Sequence, residues 1–515
     1  MTHEVQPNGY KPFVIDVEEA KLEKTHEEVV EAARKSFKSG KTKPLKFRLE
    51  QLKGLEKFLT ECENELVKAL DQDLGKHRQE VLMTEIDLLK HELRQTAMEL
   101  SKWLKPEAPP KSWVNFLDGV LVYSDPYGVV LVIGAWNYPL LLLLGPFIGA
   151  IAGGNCVILK PSELAPASAK TIATYLPRYL DRDSYQVVCG GVQETTHLLK
   201  IQFDYIFFTG STSVGKIVHQ AASKFLTPVT LELGGKSPVF VDDTVDIVTT
   251  ARRILWGKCL NAGQTCIAPD YLLCSKNVEE RFIEAAKTIL DEFYGEGVKV
   301  SPYWSKIVSE RHYKRLMGMV SDGEVAIGGF GDPMERTITP TILINVKPDD
   351  LVMREEIFGP ILPIINVNSA LEAINFITEG DKPLALYVFT KRKDVKDLFL
   401  NGTSSGNVTI NDTIMHIMTE NLPFGGVGAS GMGNYHGKYG FDTFTHKKGV
   451  LVRGLGALTE KPQFIRYPPY SDFKTTLSSI VTAKRRSIPG WWFKWILVFG
   501  LGVAFAYGVQ WVRNG

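Results

Sequence analysis

"YGVVLVIGAWNYPLLLLLGPFIGAIAGG", residues 127–154, contains no charged side chain, and its reading decides the fold. The stretch is longer than the ~20 residues that cross a bilayer, so length alone would make it a membrane span. Its internal order says otherwise. Val129 to Ile133 is apolar throughout and β-branched, the pattern of a strand buried on both faces. Asn137 and Pro139 follow, and Pro139 suits the first turn of a helix. Leu140 to Ala152 then reads as a helix hidden in a large core. A strand-turn-helix unit explains Asn137 and Pro139, whereas a continuous membrane helix does not.

The same alternation continues outward from this unit. Val129–Gly134, Cys156–Leu159, Tyr205–Phe208 and Val229–Leu233 read as strands, with helical patterns between them, as around 165–180. Strands alternating with helices predict a mostly parallel, doubly wound α/β sheet. A second α/β region begins near Gly234 and runs to about Asn411, where "VTIND" looks like a return strand. Upstream the pattern is helical. Thr25 and Glu28 form a capping box, and Val29, Val30, Ala33 and Phe37 make an apolar stripe. Helical patterns then run from Leu45 to Leu104, where "KPEAPP" ends them. Val114–Tyr123 alternates, with Asp118-Gly119 as the turn of a hairpin. Downstream, "PFGGVGASGMGNYHGKYG" (423–440) reads as a long loop approached closely by backbone or ligand, and Lys447–Arg453 as a last strand.

With 44% hydrophobic and 23% charged residues the chain is a folded globular protein rather than a disordered one. A net charge of +1 gives no bulk electrostatic case for nucleic acid. Six cysteines lack C-x-x-C spacing and a His cluster, so no metal site is expected. The N-terminus has neither the basic start nor the apolar core of a secretory signal, which points to a reducing compartment. The C-terminus differs. "WWFKWILVFGLGVAFAYGVQWV", Trp491–Val512, is long enough to span, with tryptophans at both ends and Lys484, Arg485 and Arg486 before it. It reads as a tail anchor holding a cytosolic body; a buried or interfacial helix is the alternative.

Four short stretches could carry chemistry. "FFTGSTSVGK" (207–216) is a strand feeding a helix through Gly210 and Gly215, where amides and dipole favour phosphate. Alone it could equally be an ordinary strand-helix turn. "LKPSE" (159–163) follows a buried strand, where ligands of open sheets bind, and offers Lys160 and Glu163 to ribose hydroxyls. "LELGGKSP" (231–238) sets Glu232 among apolar residues and glycines, surroundings that raise a carboxyl pKa toward that of a general base. "NAGQTCIAP" (261–269) holds Cys266, and a thiolate is a natural nucleophile for a carbonyl. A lone cysteine is by default a small buried hydrophobe, which is how Cys62, Cys156, Cys189, Cys259 and Cys274 are read.

Taken together and in order, "GAWNYP", "LKPSE", "FTGS", "LELGGKSP", "GQTC", "EEIFGP" and "PFGG" make the chain resemble the aldehyde dehydrogenase superfamily over roughly residues 25–455. "FFTGSTSVGK", the segment from Met418 to Gly449 and the apolar tail are most similar to its class 3 branch, on the membrane-anchored, fatty-aldehyde-oxidising side.

The resemblance implies a doubly wound Rossmann-like NAD-binding domain over 1–231, with an oligomerisation hairpin at about 113–126. It further implies an α/β catalytic domain over 232–411 and a return to the cofactor domain with an oligomerisation strand over 412–460. A linker (461–490) and a transmembrane helix (491–512) would complete the chain. Cys266 would attack the aldehyde carbon, with Asn137 and the Cys266 amide holding the oxyanion, and Glu232 would activate the hydrolytic water. Glu356 would hold the nicotinamide ribose beside Phe358. Lys160 and Glu163 would bind the adenosine ribose, and Gly210, Ser211, Thr212, Ser213, Val214 and Gly215 would line the pyrophosphate. Glu163 should repel a 2′-phosphate, which favours NAD; relatives in the branch accept both, so NADP stays open. The implied protein is a homodimer oxidising medium- to long-chain aldehydes at a membrane. Endoplasmic reticulum is preferred to peroxisome or mitochondrial outer membrane. A coenzyme A-acylating dehydrogenase and a non-enzymatic membrane-tethered scaffold are the alternatives.

Overall fold

The computed structural model describes residues 25–111, 115, 118–295, 301–419, 421–482 and 498. Its chain folds around two sheets. The first has six strands, in the order Gly431–Met432, Val229–Glu232, Tyr205–Thr209, Val129–Ile133, Cys156–Lys160, Tyr185–Val187. All neighbours are parallel except the short Gly431–Met432 strand, which runs antiparallel along the edge. Every residue of Val129–Ile133, Cys156–Lys160 and Tyr205–Thr209 is buried, as a parallel sheet covered on both faces requires. Strand order reverses between Val129–Ile133 and Tyr205–Thr209, and the crevice beyond their carboxyl ends is where such sheets bind ligands.

Residues 127–154 thus form a strand, a turn and a helix. The helix is Leu141–Gly153 and is buried along its whole length. Pro139 lies in the turn ahead of it rather than in its first turn. Pro146 sits inside the helix. The glycines have a packing reason: a Cβ on Gly149 would press at 3.0 Å on the backbone of Gly440, in the helix Gly437–Thr443. Asn155, fully buried, fastens the same junction. Its Nδ2 donates to the carbonyls of Ala150 (3.2 Å) and Phe444 (2.9 Å), and its Oδ1 accepts the Gly128 amide (3.0 Å).

The second sheet has seven strands, in the order Asn407–Ile410, Ala385–Phe389, Pro238–Val241, Tyr271–Cys274, Ile361–Asn366, Thr341–Ile344, Glu324–Ile327. It is parallel except at the Glu324–Ile327 edge. The return strand expected at "VTIND" is Asn407–Ile410. The N-terminal helix His26–Lys38 carries the expected capping box between Thr25 and Glu28 and buries Val29, Val30 and Ala33.

Two local expectations change. Asp118-Gly119 does not turn a hairpin. Gly119 opens the strand Gly119–Pro126, whose partner is the distant Thr445–Val452, and Asp118 accepts from Arg453 at 3.1 Å instead. Residues 114, 116 and 117 of the supposed first arm lie outside the described residues. The Gly-rich 423–440 stretch is not all loop, because it holds the Gly431–Met432 edge strand and starts the Gly437–Thr443 helix. The close backbone approach expected there does occur. Cβ atoms on Gly425, Gly426 and Gly431 would overlap the carbonyls of Gly433, Ser430 and Leu231.

The chain divides into two units, Met1–Pro106 with Tyr123–Lys448, and Glu107–Val122 with Gly449–Gly515. The smaller unit contains the helix Asp472–Thr482 and leaves Leu455, Leu458 and Phe473 largely exposed. The expected transmembrane helix, 491–512, falls outside the described residues apart from 498. Among the described residues no helix is long and apolar enough to cross a membrane.

Asn155→Ala would leave the Gly128 amide and the Phe444 carbonyl buried without their partner. It is expected to cost about 2–4 kcal/mol of stability, measurable as a lowered denaturation midpoint.

Candidate active site

The helix Ile247–Cys259 runs into the loop that carries Cys266. Asn261, Ala262 and Gly263 are successively left-handed, with φ of 53°, 51° and 75°. For the two non-glycine residues this conformation costs on the order of 1–3 kcal/mol each, a cost that gathers at functional sites. Gly263 has no freedom to be anything else, since a Cβ there would overlap the Gly359 carbonyl of the loop bearing Glu356 and Phe358. Gln264 uses its whole amide on the backbone: Nε2 donates to Asn261 O (3.1 Å) and Lys306 O (3.0 Å), and Oε1 accepts from Val308 N (3.0 Å). Thr265 Oγ1 is 2.7 Å from the Tyr138 hydroxyl. Cys266 is left half-buried at the end of this braced loop.

Asn137 comes to the same place from the first sheet. Its Nδ2 donates to Gln264 O at 3.1 Å, two residues before Cys266. Its own carbonyl accepts from Asn261 Nδ2 and from Lys76 Nζ, each at 2.9 Å. Lys76 also pairs with Glu85 at 2.7 Å, with both side chains fully buried. The other Glu85 oxygen accepts the amides of Leu140 (2.9 Å) and Leu141 (3.2 Å), which would otherwise be free at the start of the helix. Glu80 accepts the Asn261 amide at 2.9 Å.

Glu232 ends the strand Val229–Glu232. Its backbone pairs with Thr209 on one side and Gly431 on the other. Its carboxylate is buried, and neither oxygen has a hydrogen-bond partner among the described residues. Burial pushes its pKa well above the ordinary carboxylate value. Glu356 lies directly over Gly234, where a Cβ would overlap its carboxylate. Burial, then the Asp270 charge, raises Glu356 to about 8. Burial, followed by the Glu356 and Glu232 charges, raises the Cys266 pKa as well, so the resting form is the thiol. The lowered thiol pKa expected of a nucleophile is therefore not a property of these protein groups alone. Glu232 acts on Cys266 electrostatically, disfavouring its thiolate.

The crevice at the strand reversal has the features a dinucleotide needs. Ser211 caps the helix Thr212–Ser223, accepting from Val214 N at 3.4 Å, and Ser213 Oγ lies 3.1 Å from Ser211 Oγ. Thr212 Oγ1 donates to Ala429 O at 3.4 Å. Gly210 donates its amide to Glu232 O (3.0 Å), and a Cβ on Gly215 would meet Leu233 at 2.6 Å, so helix and strand pack in close contact. The remaining amides of the helix start are open to an anion. Thr209 Oγ1 is buried without a partner among the described residues. Lys160 and Glu163 do not stand apart as two separate ligands; they form an ion pair of 2.9 Å at the end of the next strand. Phe358, with φ 53°, packs edge-on against Trp136 at 5.3 Å. These groups fit a nicotinamide dinucleotide.

From the other side a narrow cavity of about 40 Å³ leads to Cys266. Its walls are almost wholly apolar and include Met83, Leu88, Leu142, Trp256, Ile417 and Phe424. Phe424 is stacked between His416 (5.9 Å) and His436 (5.4 Å). Burial lowers both imidazoles to about 4, so they are neutral at physiological pH. Sequence inspection did not single out these residues, nor Lys76, Glu80, Glu85, Tyr138 and Lys258. Lys258 is buried with no hydrogen-bond partner among the described residues, and burial lowers its pKa to about 8.

Residues 5–450 match the model of the aldehyde dehydrogenase family. The chain is 47% identical over 459 residues to aldehyde dehydrogenase family 3 member A2 of Rattus norvegicus, covering 89% of this chain and 94% of that protein. It is 49% identical over 442 residues to the dimeric NADP-preferring aldehyde dehydrogenase of the same species, covering 86% and 97%. The solved substrate-bound AldH of Staphylococcus aureus superposes with a TM-score of 0.85 at 43% identity, covering 88% of this chain and 99% of that one.

The raised pKa of Glu356 has a consequence for stability. A carboxyl whose folded pKa is about 8 against an ordinary 4.5 stabilises the fold fully below 4.5, and that contribution is lost as pH rises through about 8. The native protein should therefore lose stability relative to Glu356→Gln across that window. Unfolding midpoints of the two proteins, compared pH by pH, would show a constant difference if Glu356 were not so perturbed.

Proposed function

Because the chain belongs to the aldehyde dehydrogenase family and is an NAD(P)-dependent aldehyde dehydrogenase, we propose that it oxidises medium- to long-chain aliphatic aldehydes to carboxylic acids. The observation that carries the substrate class is the apolar cavity ending at Cys266. An alkyl chain gains about 0.8 kcal/mol for each methylene it buries there, and hydrophilic aldehydes gain nothing.

In the proposed mechanism Cys266 Sγ attacks the aldehyde carbon as its thiol proton passes to Glu232. The carbonyl oxygen becomes an oxyanion, met by Asn137 Nδ2 and the Cys266 amide. A donor of this kind lowers the barrier by roughly 3 kcal/mol. The crevice would hold NAD(P), which would supply the hydride acceptor needed to oxidise the adduct to a thioester. Glu356 orients the nicotinamide ribose, with Phe358 beside it. Gly210 to Gly215 hold the pyrophosphate, and Lys160 with Glu163 the adenosine ribose. Glu232, having released that proton to solvent, then takes one from water. The resulting hydroxide adds to the thioester carbon, the C–S bond breaks, and carboxylate leaves as Cys266 regains a proton. The negative Glu163 favours NAD over NADP, whose 2′-phosphate it would repel. A coenzyme A-acylating reaction is disfavoured, since Glu232 keeps both oxygens free for water.

We further propose a homodimer built on the Thr445–Val452 strand. One relative is named dimeric, and Leu451 and Val452 on that strand are exposed. The tail 491–512 would anchor the body to a membrane, with the endoplasmic reticulum preferred and residues 461–490 as the linker.

Four readouts test these assignments. Cys266→Ala is expected to abolish NAD(P)H formation, while Cys259→Ala retains it. Glu232→Gln should accumulate acyl-enzyme. The ratio kcat/KM should climb by up to about fourfold per methylene along an aliphatic series. Protein lacking 488–515 should stay active yet leave the membrane pellet; if it still sediments, the anchor is wrong.

A further inference from the structure

An oxyanion donor works only if its amide is held to a fraction of an ångström, yet Asn137 sits in a turn between a strand and a helix. The backbone bonds of that turn, such as Leu142 N to Tyr138 O at 2.9 Å, begin one residue after it. What holds it is a remote segment, residues 76–86, which contains a short π-helix at Leu82–Ile86. Two of its side chains reach the turn, and a third reaches the facing loop. Lys76 Nζ donates to Asn137 O at 2.9 Å while paired to Glu85 at 2.7 Å, and it lies 3.8 Å from the centre of the Tyr138 ring. Glu85 accepts the Leu140 and Leu141 amides. Glu80 accepts the amide of Asn261, whose own Nδ2 returns to Asn137 O at 2.9 Å.

The Asn137 carbonyl is thus gripped by two donors and the following amides by one carboxylate. The side chain that remains points its Nδ2 toward the Cys266 loop. A fully buried ion pair is a poor way to gain stability, because apolar residues of the same volume commonly do as well or better. Here the pair supplies what apolar packing cannot: a donor to one specific carbonyl and an acceptor for two specific amides.

We propose that Lys76 and Glu85 are positioning residues for the reaction. They act on the oxyanion through Asn137 without touching substrate, and Glu80 steadies the facing Asn261. The inference rests on the oxyanion role proposed for Asn137.

The test is a double-mutant cycle in the full-length protein, with kcat/KM for an aliphatic aldehyde as the readout and NAD affinity as the check on folding. Lys76→Met is expected to lower kcat/KM by about 10- to 100-fold in the native background, with NAD affinity unchanged. Combined with Asn137→Ala, it should cost less than about threefold more, because its effect passes through a side chain already removed. Lys76→Met leaves Glu85 as a lone buried charge, so the neutral pair Lys76→Met/Glu85→Gln serves alongside it. That pair keeps an amide oxygen for Leu140 and Leu141 while removing the donor to Asn137 and leaving no lone charge. It should show the same loss and the same dependence on Asn137. Equal losses with and without Asn137 would overturn the inference and leave the oxyanion reading standing. If Asn137→Ala alone changes nothing, both fall.

Discussion

The register of the six-stranded sheet is the constraint on which the candidate site depends. Ile133 lies level with Lys160 and Phe208, and Thr209 with Glu232, so neighbouring strands end at nearly the same height. Just beyond those ends the chain turns to Asn137, the Lys160–Glu163 pair, Gly210 and the Gly234-Gly235 bend. A parallel sheet saturates its own backbone, and its three central strands here are dry on both faces. Glu232 therefore reaches the crevice with its main chain fully paired and its carboxylate unsatisfied. A slip of one residue in this strand would turn Glu232 toward the opposite face.

The site concentrates features that are locally unfavourable. Asn261, Ala262 and Phe358 hold left-handed backbones, the Glu232 carboxylate is buried without a partner, and Lys258 is a buried cation in the same position. A large core offsets these costs. They are also what makes the site reactive, since a carboxylate with no protein partner is free to take a proton from water or thiol. Gly263 brings the nucleophile loop directly onto the Gly359 backbone, and Gly234 leaves room beside Glu232 for the Glu356 carboxylate.

Much of this was legible from sequence because it depended on local order. Residues 127–154 identified themselves as strand, turn and helix, and the glycines of 423–440 marked a close approach. What escaped notice depended on contacts distant in sequence. Lys76, Glu80 and Glu85 lie in a charged helical stretch, and such charges normally face solvent. Nothing local shows that a helix 50 residues upstream of Asn137 will bury an ion pair beneath it: Glu85 and Leu140 lie 55 positions apart. Asp118-Gly119 failed as a hairpin signal for the same reason, because the partner strand begins at Thr445. Lys160 and Glu163 were rightly placed at a strand end, but three-residue spacing lets them pair with each other before any ligand arrives.

The buried helix Leu141–Gly153 has one more implication, for the order in which the chain becomes stable. Its last covering surface is not built from its neighbours. Gly149 packs on Gly440, and the Asn155 side chain beside it bonds to Phe444, 289 residues further on. During synthesis this uncharged, apolar segment leaves the ribosome long before its cover exists. Until the 437–444 segment arrives, it is a hydrophobic surface without a home, open to chaperones, to misassociation and to membrane-targeting machinery. The fold's most deeply buried helix thus waits on one of the last segments to be made.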